Sequence, residues 1–314
     1  VVTGLLIESE KISIKDLTPI KVADSNLKLL ESIKRPGMSA YELYSKGIEI
    51  SNSDPTNAIV FFENAIKENP SYVEAFIRIG EMYNGLSNPK QAEMYFQKAK
   101  ALLTDKDSNS NSAIDIQRGL GQSFLLFRKW DDALKCYSET KRIYNANNLS
   151  EMTVEYSYLT YLIGLTMFSK SKSPEGWSLM LKGKHNFEVM GLSNTLNYVS
   201  IVKELGLLER NKSKSFEYYK QAYSILNNIK MKISIIGWLV TTNYAWAHQF
   251  IGKTNEALVL FKESEDILIS MGLNDSARHY ELMIEISVCY YREIKDPCKG
   301  LEYGDRALAI YNTL

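Results

Sequence analysis

The stretch that decides the fold is residues 73–104, VEAFIRIGEMYNGLSNPKQAEMYFQKAKALLT. The small residues Gly80 and Ala92 stand where two helices would cross closely, and Asn88 and Pro89 between them end a helix. Apolar residues recur at helical spacing on both sides of this break. The stretch therefore predicts a helical hairpin. The aromatic residues that would fill the space between successive hairpins are Phe76, Tyr83 and Phe96.

The same arrangement recurs along the chain. A small residue near the start of each predicted second helix is followed by the next one after 34, 41, 43, 39, 42 and 43 positions. These residues are Ala58, Ala92, Ala133, Gly176, Ser215, Ala257 and Gly300. In five first helices another small residue precedes them by 11 or 12 positions, namely Gly47, Gly80, Gly121, Gly164 and Ala245. The fifth and seventh copies depart, because Lys203 and Val288 occupy that position.

This pattern resembles the tetratricopeptide (TPR) repeat. The matching residues are Phe76, Ile79, Gly80 and Tyr83 in the W-x2-L-G-x2-Y half and Ala92, Phe96 and Ala99 in the A-x3-F-x2-A half. The resemblance implies an all-α fold, a TPR superhelix (α-solenoid) of about seven helix pairs, with a concave groove lined by the first helices. A HEAT-type solenoid is the alternative, but the glycine, alanine and aromatic spacing favours TPR.

The predicted TPR array covers residues 38–314, and residues 1–37 form an N-terminal extension. Alternating residues near the start of the extension indicate one strand or a hairpin arm, either a remnant of an upstream domain or an element packed on the array. The longer repeats resemble the long TPRs of kinesin light chains and of bacterial signalling regulators. The predicted repeats are 38–70, 71–104, 113–147, 153–190, 194–229, 233–271 and 276–314.

The junction between extension and array carries a second resemblance. Arg35-Pro36, the AYELY run of residues 40–44 and Lys46-Gly47 are similar to a bacterial junction in which a TolB-like segment leads into TPR repeats. In such proteins a class III nucleotide cyclase, a winged-helix domain or a kinase commonly lies upstream. The chain also begins without Met. We therefore expect it to be a piece of a longer polypeptide.

Composition limits the partners and the compartment. Lys plus Arg and Asp plus Glu both number 37, so the chain has no basic excess for nucleic acid, and we expect no nucleic-acid partner. No apolar run approaches the roughly 20 residues of a membrane span. Three cysteines without a C-x-x-C pair indicate free thiols in a reducing compartment, and hence a cytoplasmic protein.

No constellation for catalysis stands out. His185, His248 and His279 fall in separate predicted repeats, whereas metal ligands must converge. Residues 247–254 end in Gly-Lys-Thr, but Ala247 stands where a phosphate-binding loop needs glycine, and the preceding segment is a predicted helix. We expect a chain that is not an enzyme and uses no cofactor and no metal.

The resemblance places the predicted binding surface on the first helices. Residues one after the small position, three before it and three or four after it would face the groove. The predicted groove residues are Tyr44, Ile77, Glu81, Arg118, Gln122, Tyr161, Phe168 and Trp246. This set is mainly aromatic and apolar, which suits an extended or helical segment of a partner. The alternative is that the aromatic residues pack against the neighbouring hairpin.

The sequence therefore predicts a non-catalytic protein–protein interaction module that binds a protein or peptide segment in its groove, and a homo-oligomer is compatible with that. One alternative is the regulatory or sensory C-terminal region of a signalling protein, such as a class III nucleotide cyclase or a transcription regulator. Another is a receptor for peptides or small ligands. The fold alone does not choose among these functions.

Overall fold

The computed structural model describes residues 38–313. Within that range the chain forms fourteen α-helices in seven antiparallel pairs and no strand, which confirms the predicted all-α, TPR-like solenoid. The predicted N-terminal extension, with its strand, lies outside the described residues. The helices are α1 (Ala40–Ile50), α2 (Pro55–Glu68), α3 (Val73–Gly85), α4 (Pro89–Ala101), α5 (Asn111–Leu126), α6 (Trp130–Ala146), α7 (Val154–Ser171), α8 (Pro174–Val189), α9 (Leu196–Leu208), α10 (Lys212–Asn228), α11 (Ile235–Phe250), α12 (Thr254–Ser270), α13 (Ala277–Val288) and α14 (Pro297–Tyr311).

The described chain divides into two compact units. Residues 38–271 contain the first six pairs, α1 to α12, and residues 272–313 contain the seventh pair, α13 and α14. In the larger unit each second helix also packs against the first helix of the next pair. The first helices α3 and α5 contact each other directly, as do α9 and α11. First helices therefore share one side of this unit, which we call the first-helix side.

The residues that start the helices are recognisable in the sequence. First helices α7, α9 and α11 follow Thr153, Thr195 and Ser234, whose hydroxyls accept a hydrogen bond from the backbone N–H three positions on. Second helices α2, α4 and α8 begin with a proline. The first N–H of a helix has no acceptor within the helix, so proline, which lacks an N–H, loses no hydrogen bond there. Helix α5 begins at Asn111, two residues before the predicted repeat boundary at 113, because Ser110 caps it.

Glycines at the helix crossings make room for aromatic rings from the partner helix. A Cβ added to Gly47 would lie 2.5 Å from the Phe62 ring, and one added to Gly121 would lie 2.4 Å from the Tyr137 ring. Both rings are fully buried. Each ring therefore occupies the space that a side chain on the glycine would need, which is why the repeat pattern pairs a small residue with a large one.

Phe96 of α4 performs this role twice. A Cβ added to Gly80 of α3 would lie 2.8 Å from the Phe96 ring, and one added to Gly119 of α5 would lie 2.1 Å from it. The ring is fully buried between the two first helices. Beside it, the Asn84 side chain of α3 donates to the Gly119 carbonyl oxygen at 2.9 Å and accepts from the Ser123 hydroxyl at 2.9 Å. These contacts fix α3 against α5.

The fifth pair keeps this crossing with a shifted register. Lys203 occupies the expected small position, but the small buried residue of α9 is Gly206, nearly one helical turn later. The Gly206 carbonyl oxygen accepts a hydrogen bond from the Ser215 hydroxyl at 2.7 Å, and a Cβ on Gly206 would lie 3.2 Å from the Tyr219 ring. Lys203 instead pairs with Glu204.

The smaller unit departs from the pattern in another way. Helix α13 ends at Val288 and continues as a π-helical segment, Cys289–Ile294. The residue that meets α14 is Ser287, whose hydroxyl donates to the Gly300 carbonyl oxygen at 2.6 Å. The departure at Val288 is thus a shift of one residue, and the crossing still joins a small residue on each helix.

None of the helices in residues 38–313 is long and apolar enough to cross a membrane. The longest, α7, has 18 residues, and its apolar run is interrupted by the buried hydroxyls of Thr160 and Thr166. Each hydroxyl donates to the carbonyl oxygen four residues earlier in the same helix. These two hydroxyls are therefore satisfied within the helix.

A close approach of two helix backbones, at Gly164 of α7 and Gly176 of α8, allows a test of this packing. A Cβ on Gly164 of α7 would lie 2.6 Å from the Gly176 carbonyl oxygen, and neither backbone can move aside cheaply. We expect Gly164→Ala to lower the free energy of unfolding by about 2 kcal/mol or more, as overpacking does. Gly85→Ala is the control: its Cβ would meet only one atom, at 3.9 Å, so we expect no loss of stability. Urea unfolding measures both, and equal effects would contradict the crossing described here.

The three cysteine thiols differ in burial and therefore in expected reactivity. Burial raises the pKa of Cys136 and of Cys289 to about 11 in each case, whereas Cys298 is exposed at the start of α14. Because the thiolate is the reactive form, we expect iodoacetamide near pH 8 to modify Cys298 at least about tenfold faster than the other two. Mass spectrometry over time measures this, and Cys298→Ser should remove the fast phase. Rapid labelling of Cys136 in the folded protein would show that α6 is not packed as described.

Candidate functional site

Polar and charged side chains from three first helices meet on the first-helix side of the larger unit. We call this set the first-helix network: Tyr44 of α1, Arg78 and Glu81 of α3, and Asp115 and Arg118 of α5. All five side chains are half-buried. Three of them, Tyr44, Glu81 and Arg118, are among the residues predicted to face the groove.

The contacts run in one chain across the three helices. The Arg78 Nε donates to the Tyr44 hydroxyl at 3.3 Å, and its Nη1 lies 2.7 Å from the Glu81 carboxylate. The other Glu81 oxygen lies 3.5 Å from Nη2 of Arg118, which also binds Asp115 at 2.7 Å. Two guanidinium groups and two carboxylates therefore alternate, and the network has no net formal charge.

Burial and pairing act against each other on these charges. Burial alone would lower the pKa of Arg78 and of Arg118, but the neighbouring carboxylates outweigh it, so both pKa values are raised. Burial raises the pKa of Asp115 above its usual range although Arg118 opposes that shift. Both arginines are therefore held firmly in the charged form, while Asp115 is a carboxylate that the site makes easier to protonate.

A tyrosine of α7 extends the network toward the next pair. Burial raises the pKa of Tyr158, and Arg118 and Gln122 of α5 act on its hydroxyl in the opposite direction. The Tyr158 ring centroid lies 5.6 Å from that of Tyr161. Gln122 is half-buried one turn after Arg118 on the same helix. The structure thus brings Gln122 beside the network, as a fourth predicted residue.

The other four predicted residues lie elsewhere. Ile77 and Tyr161 are buried in the core, 3% and 2% exposed, so their side chains offer almost no surface to a partner. Phe168 packs on Trp177 of α8, with ring centroids 5.4 Å apart. Trp246 is half-buried on α11, in the sixth pair. For Tyr161 and Phe168 the alternative holds, because both side chains pack against the neighbouring helix α8.

The sequence prediction missed two members of the network. Arg78 lies two residues before Gly80, and Asp115 lies six before Gly121, so neither occupies a position that the groove rule selects. A signal was available, because Arg78 with Glu81 and Asp115 with Arg118 are opposite charges three residues apart on a helix. The contact between Arg118 and Glu81 joins two repeats and cannot be read from either helix alone.

Metal binding has no support in the part of the chain that the structure describes. Within residues 38–313, no group of three or more His, Cys, Asp or Glu side chains is placed to hold a metal ion. The absence of a cofactor remains a prediction from the sequence.

Comparisons with known proteins place the fold. No protein-family model matches the sequence, and no curated protein matches it either. Among solved structures, a Rap protein complexed with competence and sporulation factor has 16% identity and a TM-score of 0.63, over 96% of this chain and 83% of that chain.

Two further structures are similar in fold. Aspartyl phosphate phosphatase F from Bacillus subtilis has 17% identity and a TM-score of 0.51, over 98% of this chain and 80% of that chain. A STAND protein with a tetratricopeptide repeat sensor, from Pyrococcus horikoshii, has 15% identity and a TM-score of 0.55, over 91% of this chain and 47% of that chain. At these identities the likeness shows the fold alone, and the chain is a TPR-like repeat protein.

The charges of the network lead us to expect that the stability of one variant depends on pH. Arg118→Met removes the cation that lies 2.7 Å from Asp115, so the pKa of this carboxylate, which burial already raises, rises further in the folded state. A carboxylate whose folded-state pKa is raised costs stability as pH rises through that pKa, so the defect grows with pH. We expect the variant to lose about 2 kcal/mol of unfolding free energy near pH 7 and clearly less near pH 4.

Urea unfolding of parent and variant at the two pH values measures this difference. Arg142→Met is the matched control, because Arg142 pairs with Glu139 on an exposed surface of α6, where we expect at most a small effect. A loss for Arg118→Met that is equal at both pH values would show that the ionisation of Asp115 does not depend on Arg118.

Proposed function

We propose that the chain is a protein-interaction module whose larger unit binds a peptide or protein segment along the first-helix network. The observation that supports this most is the half-buried chain of contacts from Tyr44 to Asp115, which crosses three repeats on one side of the unit. A surface that spans several repeats suits a ligand that is itself extended.

The chemistry of the network suggests what such a segment offers. Both guanidinium groups are already matched by carboxylates, so a strongly charged ligand would gain little net attraction. Arg78 still has donors in its fork, and its side chain is 42% exposed. Glu81 and Asp115 supply acceptors. Alternating donors and acceptors suit the backbone amides of an extended segment with neutral or mixed-sign side chains.

A similar protein provides a precedent for a bound factor. The Rap protein of similar fold was solved as a complex with competence and sporulation factor. A TPR-like fold is typically a module for binding proteins or peptides, and this supports the same general role here.

Selection from a random peptide library displayed on phage tests the proposal. Peptides enriched on the parent chain should bind Glu81→Gln and Gln122→Ala about tenfold more weakly, because these changes remove an acceptor and a donor without leaving a large cavity. Fluorescence anisotropy of the synthesised peptides measures the affinities. Circular dichroism should show that both variants remain folded.

Lys135→Ala is the matched control for that selection. Lys135 is exposed on the second helix α6 and pairs with Asp132 of the same helix. Its replacement should leave the affinities unchanged. Peptides that bind the parent, Glu81→Gln and Gln122→Ala equally would overturn the proposed location, and a library that yields no binder at all would overturn the proposed module.

A second candidate is a regulatory or sensory region of a signalling protein. It rests on the junction at Arg35-Pro36 and residues 40–47. The similarity in fold to a STAND protein with a tetratricopeptide repeat sensor agrees with it. Sequencing the gene upstream of the Val1 codon tests it: an in-frame cyclase, kinase or winged-helix domain would support it, and an immediate stop codon would contradict it.

We propose further that the chain is not itself an enzyme and that it acts in the cytoplasm. Both statements remain predictions of the sequence, based on the lack of a catalytic motif and on the three unpaired cysteines. Self-association into a homo-oligomer is a prediction of the same kind.

A further inference from the structure

A cavity of about 100 Å³ opens between α6, α7 and α8, away from the first-helix network. Its apolar wall is formed by Leu159 and Ile163 of α7 and by Leu179 of α8. Two lysines line it from opposite helices, Lys141 of α6 and Lys182 of α8. The carboxylate of Glu151 also lines the cavity, so its rim carries two cations and one anion around an apolar wall.

The equivalent place two repeats later is closed by a hydrogen-bonded contact. There the Tyr223 hydroxyl of α10 donates to the Glu263 carboxylate of α12 at 2.7 Å. Lys232, from the loop between α10 and α11, donates to the same hydroxyl at 2.8 Å and forms an ion pair with Glu263. Tyrosine, glutamate and lysine together link the two second helices.

Counting from the small residue of each second helix shows the equivalence. Lys141 follows Ala133 by eight positions, as Tyr223 follows Ser215. The partner positions also match: Lys182 follows Gly176 by six positions, and Glu263 follows Ala257 by six. Two lysines therefore occupy the positions that a tyrosine and a glutamate occupy in the later repeats, and like charges cannot form the linking contact.

One of the two charges is left unmatched. Glu151, in the loop before α7, lies 3.2 Å from Lys182 and neutralises it. Lys141 has no carboxylate within ion-pair distance in residues 38–313, and its Nζ lies 6.0 Å from the Tyr156 ring centroid. The Thr160 hydroxyl already donates to a backbone carbonyl, so it adds an acceptor rather than a free donor. The cavity therefore lacks an anion beside Lys141.

We propose that this cavity binds a short branched aliphatic carboxylate, with the carboxylate beside Lys141, the unmatched lysine, and the hydrocarbon against Leu159, Ile163 and Leu179. Sites for drug-sized ligands measure about 300–1,000 Å³, and a cavity of about 150 Å³ holds benzene, so this one suits a hydrocarbon group of about four or five carbon atoms. A free acid of this size and the C-terminal leucine of a peptide present the same chemistry.

Methyl NMR of the whole chain with 4-methylpentanoate tests the proposal. We expect the methyl signals of Leu159, Ile163 and Leu179 to shift on titration to about 20 mM, with saturation. The uncharged analogue 4-methylpentanamide should bind at least about fivefold more weakly, because it lacks the charge that the lysines attract. Unshifted methyl signals, or equal affinity for acid and amide, would overturn the proposal.

Two variants test whether Lys141 is the lysine that attracts the carboxylate. Lys141→Met should weaken the binding of the acid about fivefold and leave that of the amide unchanged, whereas Lys135→Met, an exposed lysine of the same helix paired with Asp132, should change neither. Equal binding of the acid to Lys141→Met and to the parent would overturn the role of Lys141. The methyl spectrum without ligand shows whether each variant is folded.

The two sources of the carboxylate can be told apart with the same signals. N-acetyl-leucine and a pentapeptide ending in leucine both carry the group, but only the peptide can make contacts beyond the cavity. Tighter binding by the peptide would assign the site to a protein C-terminus, and equal or weaker binding would assign it to a free acid. Because the cavity lies apart from Glu81 and Gln122, the result is independent of the peptide selection described above.

Discussion

An aromatic ring seated on a glycine joins the paired helices of the early repeats, and much of the structure depends on that contact. Phe62 on Gly47 and Tyr137 on Gly121 set how near each second helix comes to its first helix. Interiors pack at crystal-like density, so the ring and the absent side chain must match in volume. Phe96, which rests on Gly80 of α3 and on Gly119 of α5, likewise holds these two first helices close enough for Arg118 to pair with Glu81, which makes the first-helix network possible.

The helix pairs were predictable because the glycine and the ring belong to a local pattern. Their register was less so, since a crossing needs a small residue on the right face and not at a fixed count. Gly206 supplies it in the fifth pair, nearly one turn after Lys203. In the seventh pair Ser287 supplies it, one residue before Val288. The sequence repeat fixes the residue count between small residues, whereas packing requires only that a small residue faces the partner helix. This difference explains both departures.

The candidate site shows a similar limit. The choice of a helix face identified Glu81 and Arg118 correctly as surface residues. The edge of that face is buried, however, and Ile77 lies there with only 3% exposure. Arg78 and Asp115 belong to the site through contacts between helices, which depend on the register of one repeat against the next. Hydrophobic spacing within one helix contains no information about that register. The cavity beside Lys141 is lined by helices of two successive repeats, so no single repeat of the sequence contains it.

Phe96 has a consequence for how the larger unit folds. Its ring contacts first helices of two successive pairs, at Gly80 and at Gly119, so neither pair completes its packing without the other. In repeat proteins the coupling between neighbours determines whether units melt one by one or together. A single side chain shared by two crossings makes that coupling strong here. The second and third pairs should therefore form one cooperative folding block, even though each is a separate repeat in the sequence.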